Sequence, residues 1–136
     1  MKVRAKHGPE YHIQEALRVF LEQRGWLVER MIGNAVQYGI PDLYCYHPKY
    51  GQRWIDVKNE SDYEFTKHQR WKWPIWESFN LGVWILVDAT ESEYDKLFQP
   101  PNWRSYWKDK YDLEIQELND AMKALYEDVP SRPDNG

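Results

Sequence analysis

A single cysteine, Cys45, is all the thiol in these 136 residues. One sulfur excludes a disulfide framework, so the core has to hold the fold. Set in an apolar stretch, Cys45 is expected to be a buried thiol, which suits a reducing, cytoplasmic setting. No apolar run approaches membrane-spanning length, so no membrane association is expected. The charged opening, Met1 to Lys6, runs into polar residues rather than an apolar segment, so no secretory signal is expected. His7, His12, His47 and His68 have no zinc-ligand spacing with the lone cysteine. Positive net charge is missing too: the formal sum is −4. That argues against a uniformly basic nucleic-acid binder. The charge is uneven, however. Lys2, Arg4, Lys6 and His7 cluster at the start, Lys67, His68, Arg70 and Lys72 cluster in the middle, and much of the acid lies between Asp109 and Asp134. A local basic footprint can survive an acidic total.

What is present is aromatic: eight Trp and ten Tyr in a length that suits one domain. After a basic arm over residues 1–9, Ile13, Ala16, Leu17, Phe20 and Leu21 recur at helical spacing, with Pro9 suited to the first position and Gly25 to the end. Trp26 to Met31 reads as a strand. A loop with Asn34 leads to a second strand, Asp42 to Tyr46, then a turn at His47–Gly51 and a third strand, Arg53 to Lys58. A helix over Phe65–Asn80 carries Phe65, Gln69, Trp73, Trp76 and Phe79 on one side; Pro74 is expected to kink or split it. Val83 to Asp88 is the clearest strand. The helix between the third and fourth strands implies a parallel pairing, so the expected fold is α/β: a mixed four-stranded sheet flanked by helices, with a further helix over 112–127. Residues 90–110 have no clean period. Trp103, Tyr106 and Trp107, with Arg104 and Lys108, are read as covering the core or a dimer contact in preference to stacking on bases. Residues 129–136 read as a disordered tail.

Two acids sit where strands should bring them together. Alternation puts Trp54, Asp56 and Lys58 on one face and Ile55 and Val57 on the other. Asp42 opens the preceding strand after a constrained Gly39-Ile40-Pro41 turn, since Pro41 fixes its own φ and drives Ile40 toward extended geometry. An Asp-x-Lys on an open strand face is ordinary solvated surface. Between Ile55 and Val57 the pair is partly buried, and buried charges need partners. Glu10 phases into the apolar stripe of the first helix, either as favourable N-terminal charge or as a third carboxylate at the same site. Carboxylates beside an ammonium suit Mg²⁺, which takes a few carboxylates, keeps waters and promotes phosphodiester hydrolysis. Gln69, inward among aromatics, needs hydrogen-bond partners that the rim of this site can supply.

Glu10, Gly39-x-Pro41-Asp42, Asp56-Val57-Lys58 and Gln69, in that order, resemble the PD-(D/E)XK nuclease superfamily, and within it the small stand-alone VRR-NUC nucleases of phages and bacteria. The likeness spans roughly residues 10–90. It implies a restriction-endonuclease-like αβββαβ core, with residues 91–128 as an appended aromatic segment and helix. It implies Asp42 and Asp56 as Mg²⁺ ligands (Mn²⁺ able to substitute), joined by the Val57 carbonyl and by Glu10 directly or through water. Lys58 would steady the attacking water or the phosphate, and Gln69 would support the lysine or the phosphate. The second acid is Asp where the family more often has Glu, a shorter reach. The implied activity is a metal-dependent DNA endonuclease selective for branched or junction DNA, acting as a homodimer. DNA contacts are expected from Lys2, Arg4, Lys6, Asn34, Lys67, His68, Arg70 and Lys72. A nicking, restriction-like or homing nuclease belongs to the same class. An inactive DNA-binding module, or a protein-interaction domain that mimics DNA charge, belongs to others.

Overall fold

Pro9 opens the first helix, α1 (Pro9–Glu22), at the position where its missing N–H costs nothing. Leu17 and Leu21 bury one side of α1 and Ile13 packs partly beneath them, whereas Ala16, expected in the stripe, faces solvent. The helix ends in a reversal through Gly25 at φ +90°, where a Cβ would come within 3.1 Å of the His47 ring. The computed structural model describes residues 8–31, 38–107 and 111–128. Lys2, Arg4, Lys6, Asn34, Lys108 and the segment 129–136 lie outside them.

Three strands follow: β1 (Leu27–Arg30), β2 (Leu43–His47) and β3 (Gly51–Val57). They pair antiparallel in sequence order, with Leu43 opposite Ile55 and His47 opposite Gly51. The second long helix, α2 (Lys67–Ser78), crosses to β4 (Val83–Leu86), which pairs parallel to β3. The result is an α/β architecture with a mixed sheet in the order β1-β2-β3-β4. Alternation along β3 divides the core. Ile55 and Val57 join Leu17, Leu21, Leu43 and Cys45 on the α1 face. Trp54 faces the other way, its ring centroid 5.3 Å from that of Trp76 on α2.

Two expectations for α2 change, and the reading of Trp103 and Trp107 as core holds. Pro74 does not split α2: the helix runs through it, and its ring is buried. The stripe on α2 ends early, because Phe79 is 72% exposed beyond the last turn. Residues 91–107 hold α3 (Glu91–Asp95), a 3₁₀ turn at Lys96–Phe98 and α4 (Trp103–Trp107). Trp103 and Trp107 are fully buried against Phe65 and Trp73, so they are core rather than a stacking surface. Asn102 closes the outer edge of β4: its side chain accepts from Ile85 N–H at 2.6 Å and donates to Ile85 C=O at 3.0 Å. An amide standing in for a neighbouring strand blocks edge-to-edge pairing. The last helix, α5 (Asp112–Asp128), packs on α2. Among the described residues, no helix is long and apolar enough to cross a membrane.

Candidate active site

The turn before β2 is held from two directions. Gly39 has φ +80°, and a Cβ there would meet the His68 carbonyl oxygen at 2.7 Å. Its own carbonyl accepts the Trp73 indole N–H at 2.7 Å. Only glycine tolerates both the conformation and the contact. Pro41 is buried, and the next residue is Asp42. Carrying the β2–β3 register one residue past Leu43 and Ile55 sets Asp42 across from Asp56. Asp42 Oδ2 accepts the Val57 N–H at 2.8 Å, and the two carboxyls lie within hydrogen-bonding reach of each other.

Asp56 is 1% exposed and Lys58 4%. Lys58 Nζ lies 3.1 Å from Asp56 Oδ2 and donates to Gln69 Oε1 at 3.0 Å. The same oxygen accepts the Thr66 N–H at 3.0 Å, while Thr66 Oγ1 accepts the Gln69 N–H at 3.1 Å. This is a capping box at the start of α2. Two donors converge on one amide oxygen, which orients the Gln69 amide and turns Nε2 toward Asp56, 3.4 Å from each carboxylate oxygen. The Phe65 ring lies over the ammonium, 4.7 Å from Nζ to the ring centroid. So α2 delivers Gln69, the connection before it delivers Phe65, and together they hold Lys58 against Asp56. The Thr-x-x-Gln spacing could have signalled this coupling; nothing in the sequence signals Phe65 as the cover.

Burial pushes the Asp42 carboxyl up to about 8, and the neighbouring Asp56 charge pushes the same way. Burial also raises Asp56, against the pull of the Lys58 ammonium. Two facing carboxylates with one ammonium leave net negative charge out of water, so one site favours keeping a proton. Glu10 contributes to this field, but its Oε2 accepts the Asn59 N–H at 3.3 Å. Among the described residues, no three His, Cys, Asp or Glu side chains form a group that could hold a metal ion. The expected three-carboxylate ligand set is therefore not assembled; Asp42 and Asp56 stand together. Their all-oxygen chemistry and uncompensated charge fit a hard divalent cation that keeps most of its waters.

The basic cluster on α2 does not act as one patch. Lys67 and His68 are exposed and Lys72 half-buried. Arg70 is engaged inward: it donates to the Phe65 carbonyl at 2.5 Å and lies 5.0 Å over the Tyr111 ring centroid. No family model, no curated protein and no solved structure matches the chain.

Proposed function

We propose that the protein is a Mg²⁺-dependent DNA endonuclease with a restriction-endonuclease-like core, acting on branched or junction DNA. One observation carries this reading: a half-buried carboxylate, Asp42, and a buried one, Asp56, lie opposite each other on a β-hairpin with the Lys58 ammonium 3.1 Å from Asp56. Asp42 and Asp56 would hold the cation, Mn²⁺ substituting, with Glu10 on α1 adding to the negative field. Bound there, Mg²⁺ would supply Lewis acidity toward a phosphate oxygen and lower the pKa of a bound water. Lys58 would donate to the attacking water or to a phosphate oxygen. Gln69 holds Lys58 beside Asp56, and the Phe65 ring covers the ammonium. Preorganised donors of this kind act strongly because the site is dry.

A second reading, a DNA-binding module without hydrolysis, draws on a specific feature: Lys58 is already satisfied by Asp56 and Gln69, and Glu10 does not join the pair. A cleavage panel separates the two. Linear duplex, single strand, flap, four-way junction and supercoiled plasmid are incubated with Mg²⁺, with Lys58→Ala protein beside each. Cleavage of a branched substrate by the native protein alone is the expected result. Binding without cleavage in either Mg²⁺ or Mn²⁺ would move the assignment to the second reading.

A further inference from the structure

The first turns of α2 face two ways. Inward they carry Gln69; outward they carry His68 and Trp71. Tyr38, from the turn that delivers Asp42, stacks on His68 with ring centroids 4.4 Å apart and planes 14° from parallel. Tyr38 is 52% exposed and Trp71 63%. Trp71 forms part of an open groove of about 630 Å³ between α2 and α5. Lys67, His68 and Trp71 make one wall; Glu117, Leu118 and Ala121 make the other. Flat rings on an apolar floor beside a lysine are the combination that holds single-stranded nucleic acid, where bases stack and cations track the backbone. Rings reach bases only where those bases are unpaired, because a duplex hides their faces. The groove also adjoins the candidate site: a Cβ on Gly39 would touch the His68 carbonyl and side chain, so the wall of one is in contact with the turn of the other.

We propose that this groove seats unpaired bases of a DNA single strand, with Trp71 as the stacking platform and Lys67 as a phosphate partner. The binding does not depend on the nuclease reading. Only its consequence, presentation of the adjoining backbone to Asp42 and Asp56, rests on that reading. Together they would explain selectivity for branched DNA, since a branch point offers unpaired bases next to the strand to be cut. Glu117 opposes phosphate from the far wall, so the strand is expected to run along the α2 side.

The test is fluorescence anisotropy of labelled oligo-dT in EDTA, where no metal-dependent cleavage can occur. Trp71→Ala is expected to weaken binding by about 5- to 150-fold, the range of one lost base–aromatic stack. Trp71→Phe should retain most of the affinity, and Glu117→Gln should tighten it. An abasic strand of equal length should bind the native protein as weakly as oligo-dT binds Trp71→Ala. Equal binding by Trp71→Ala, an abasic strand bound as tightly as oligo-dT, or oligo-rU bound more tightly than oligo-dT would overturn the proposal. If Trp71-dependent binding holds while every substrate in the cleavage panel stays intact, the groove stands and the nuclease reading alone falls.

Discussion

At the scale of single residues, the chemistry turns on how Asp42 carries its charge. Its carboxyl is pushed up to about 8, first by burial and then by Asp56, whereas in the unfolded chain it titrates near the ordinary value of about 3.9. Between those values the folded state holds a proton that the unfolded state has released. Metal-free stability therefore falls as pH rises through this window, by at most about 1.4 kcal/mol per pH unit for one proton. Urea melts between pH 5 and 8 in EDTA should show the decline, and Asp42→Asn should flatten it. A parallel pH profile in the variant would show that the strain lies elsewhere. A bound divalent cation should restore stability most at the alkaline end, where both carboxylates are free of protons. Lys58 is the counterpart. Being 4% exposed and held on three sides, it is part of the fold as well as of the site, a dual role its sequence position alone did not reveal. Lys58→Met should lose cleavage by a factor of about 100 or more and should also lower stability, more at pH 8 than at pH 5. At the lower pH, Asp56 can take a proton instead of remaining an unpaired buried charge.

At the scale of elements, much of the candidate site was legible because it depends on local rules. The two-residue period of β3 separates Ile55 and Val57 from Asp56, and the structure packs the two apolar residues on the α1 face as that period requires. Gly39-Ile40-Pro41-Asp42 announced a constrained turn, but its constraint comes from outside: the His68 carbonyl and the Trp73 indole press on Gly39 from α2. The short helices between Glu91 and Trp107 left no periodic trace, because five-residue helices have no room for one. α4 is fixed instead by Trp103 and Trp107 in the core and by Asn102 on the β4 edge, and α3 by the Thr90 cap and by Glu93 accepting the Val87 N–H. Phe79 was misphased because α2 stops at Ser78, before the stripe could continue. The capping box supplies an element-level test. Thr66→Ala removes the acceptor of the Gln69 N–H and should cost about 1 kcal/mol of stability. If the cap also fixes Lys58 through the shared amide, cleavage should fall beyond what that loss explains, and Thr66→Ser should rescue both. Loss of stability with full turnover would reduce Thr66 to a helix cap. Gly39→Ala is the sharper change: a Cβ 2.7 Å from a backbone oxygen, at φ +80°, must displace α2 or the Asp42 turn. It should lower both stability and metal affinity, the latter read by calorimetry with Mn²⁺.

At the scale of the whole molecule, a net charge of −4 would confine the proposed DNA binding to a local strip, so few counterions should be released on binding and the salt dependence should be shallow. The same scale offers a reporter of whether site and fold are one cooperative unit. Cys45 lies in the middle of β2, wholly buried, and burial pushes its thiol up to about 12. The thiolate is the reactive form, so in the native state Cys45 should be inert to disulfide reagents at pH 8 and react only through opening of the sheet. β2 is also the strand that Asp42 leads into, so a cation held by Asp42 and Asp56 must be released before the sheet opens globally. The labelling rate should therefore track the unfolding equilibrium measured in urea. Millimolar Mg²⁺ should slow it by the factor one plus the ratio of metal concentration to Kd, and Asp42→Asn should abolish that protection. Labelling that ignores Mg²⁺ yet still tracks urea stability would mean that the carboxylate pair holds no cation at that concentration. Labelling faster than global unfolding would instead place a separate opening in the β2–β3 hairpin, detaching the candidate site from the stability of the sheet that carries it.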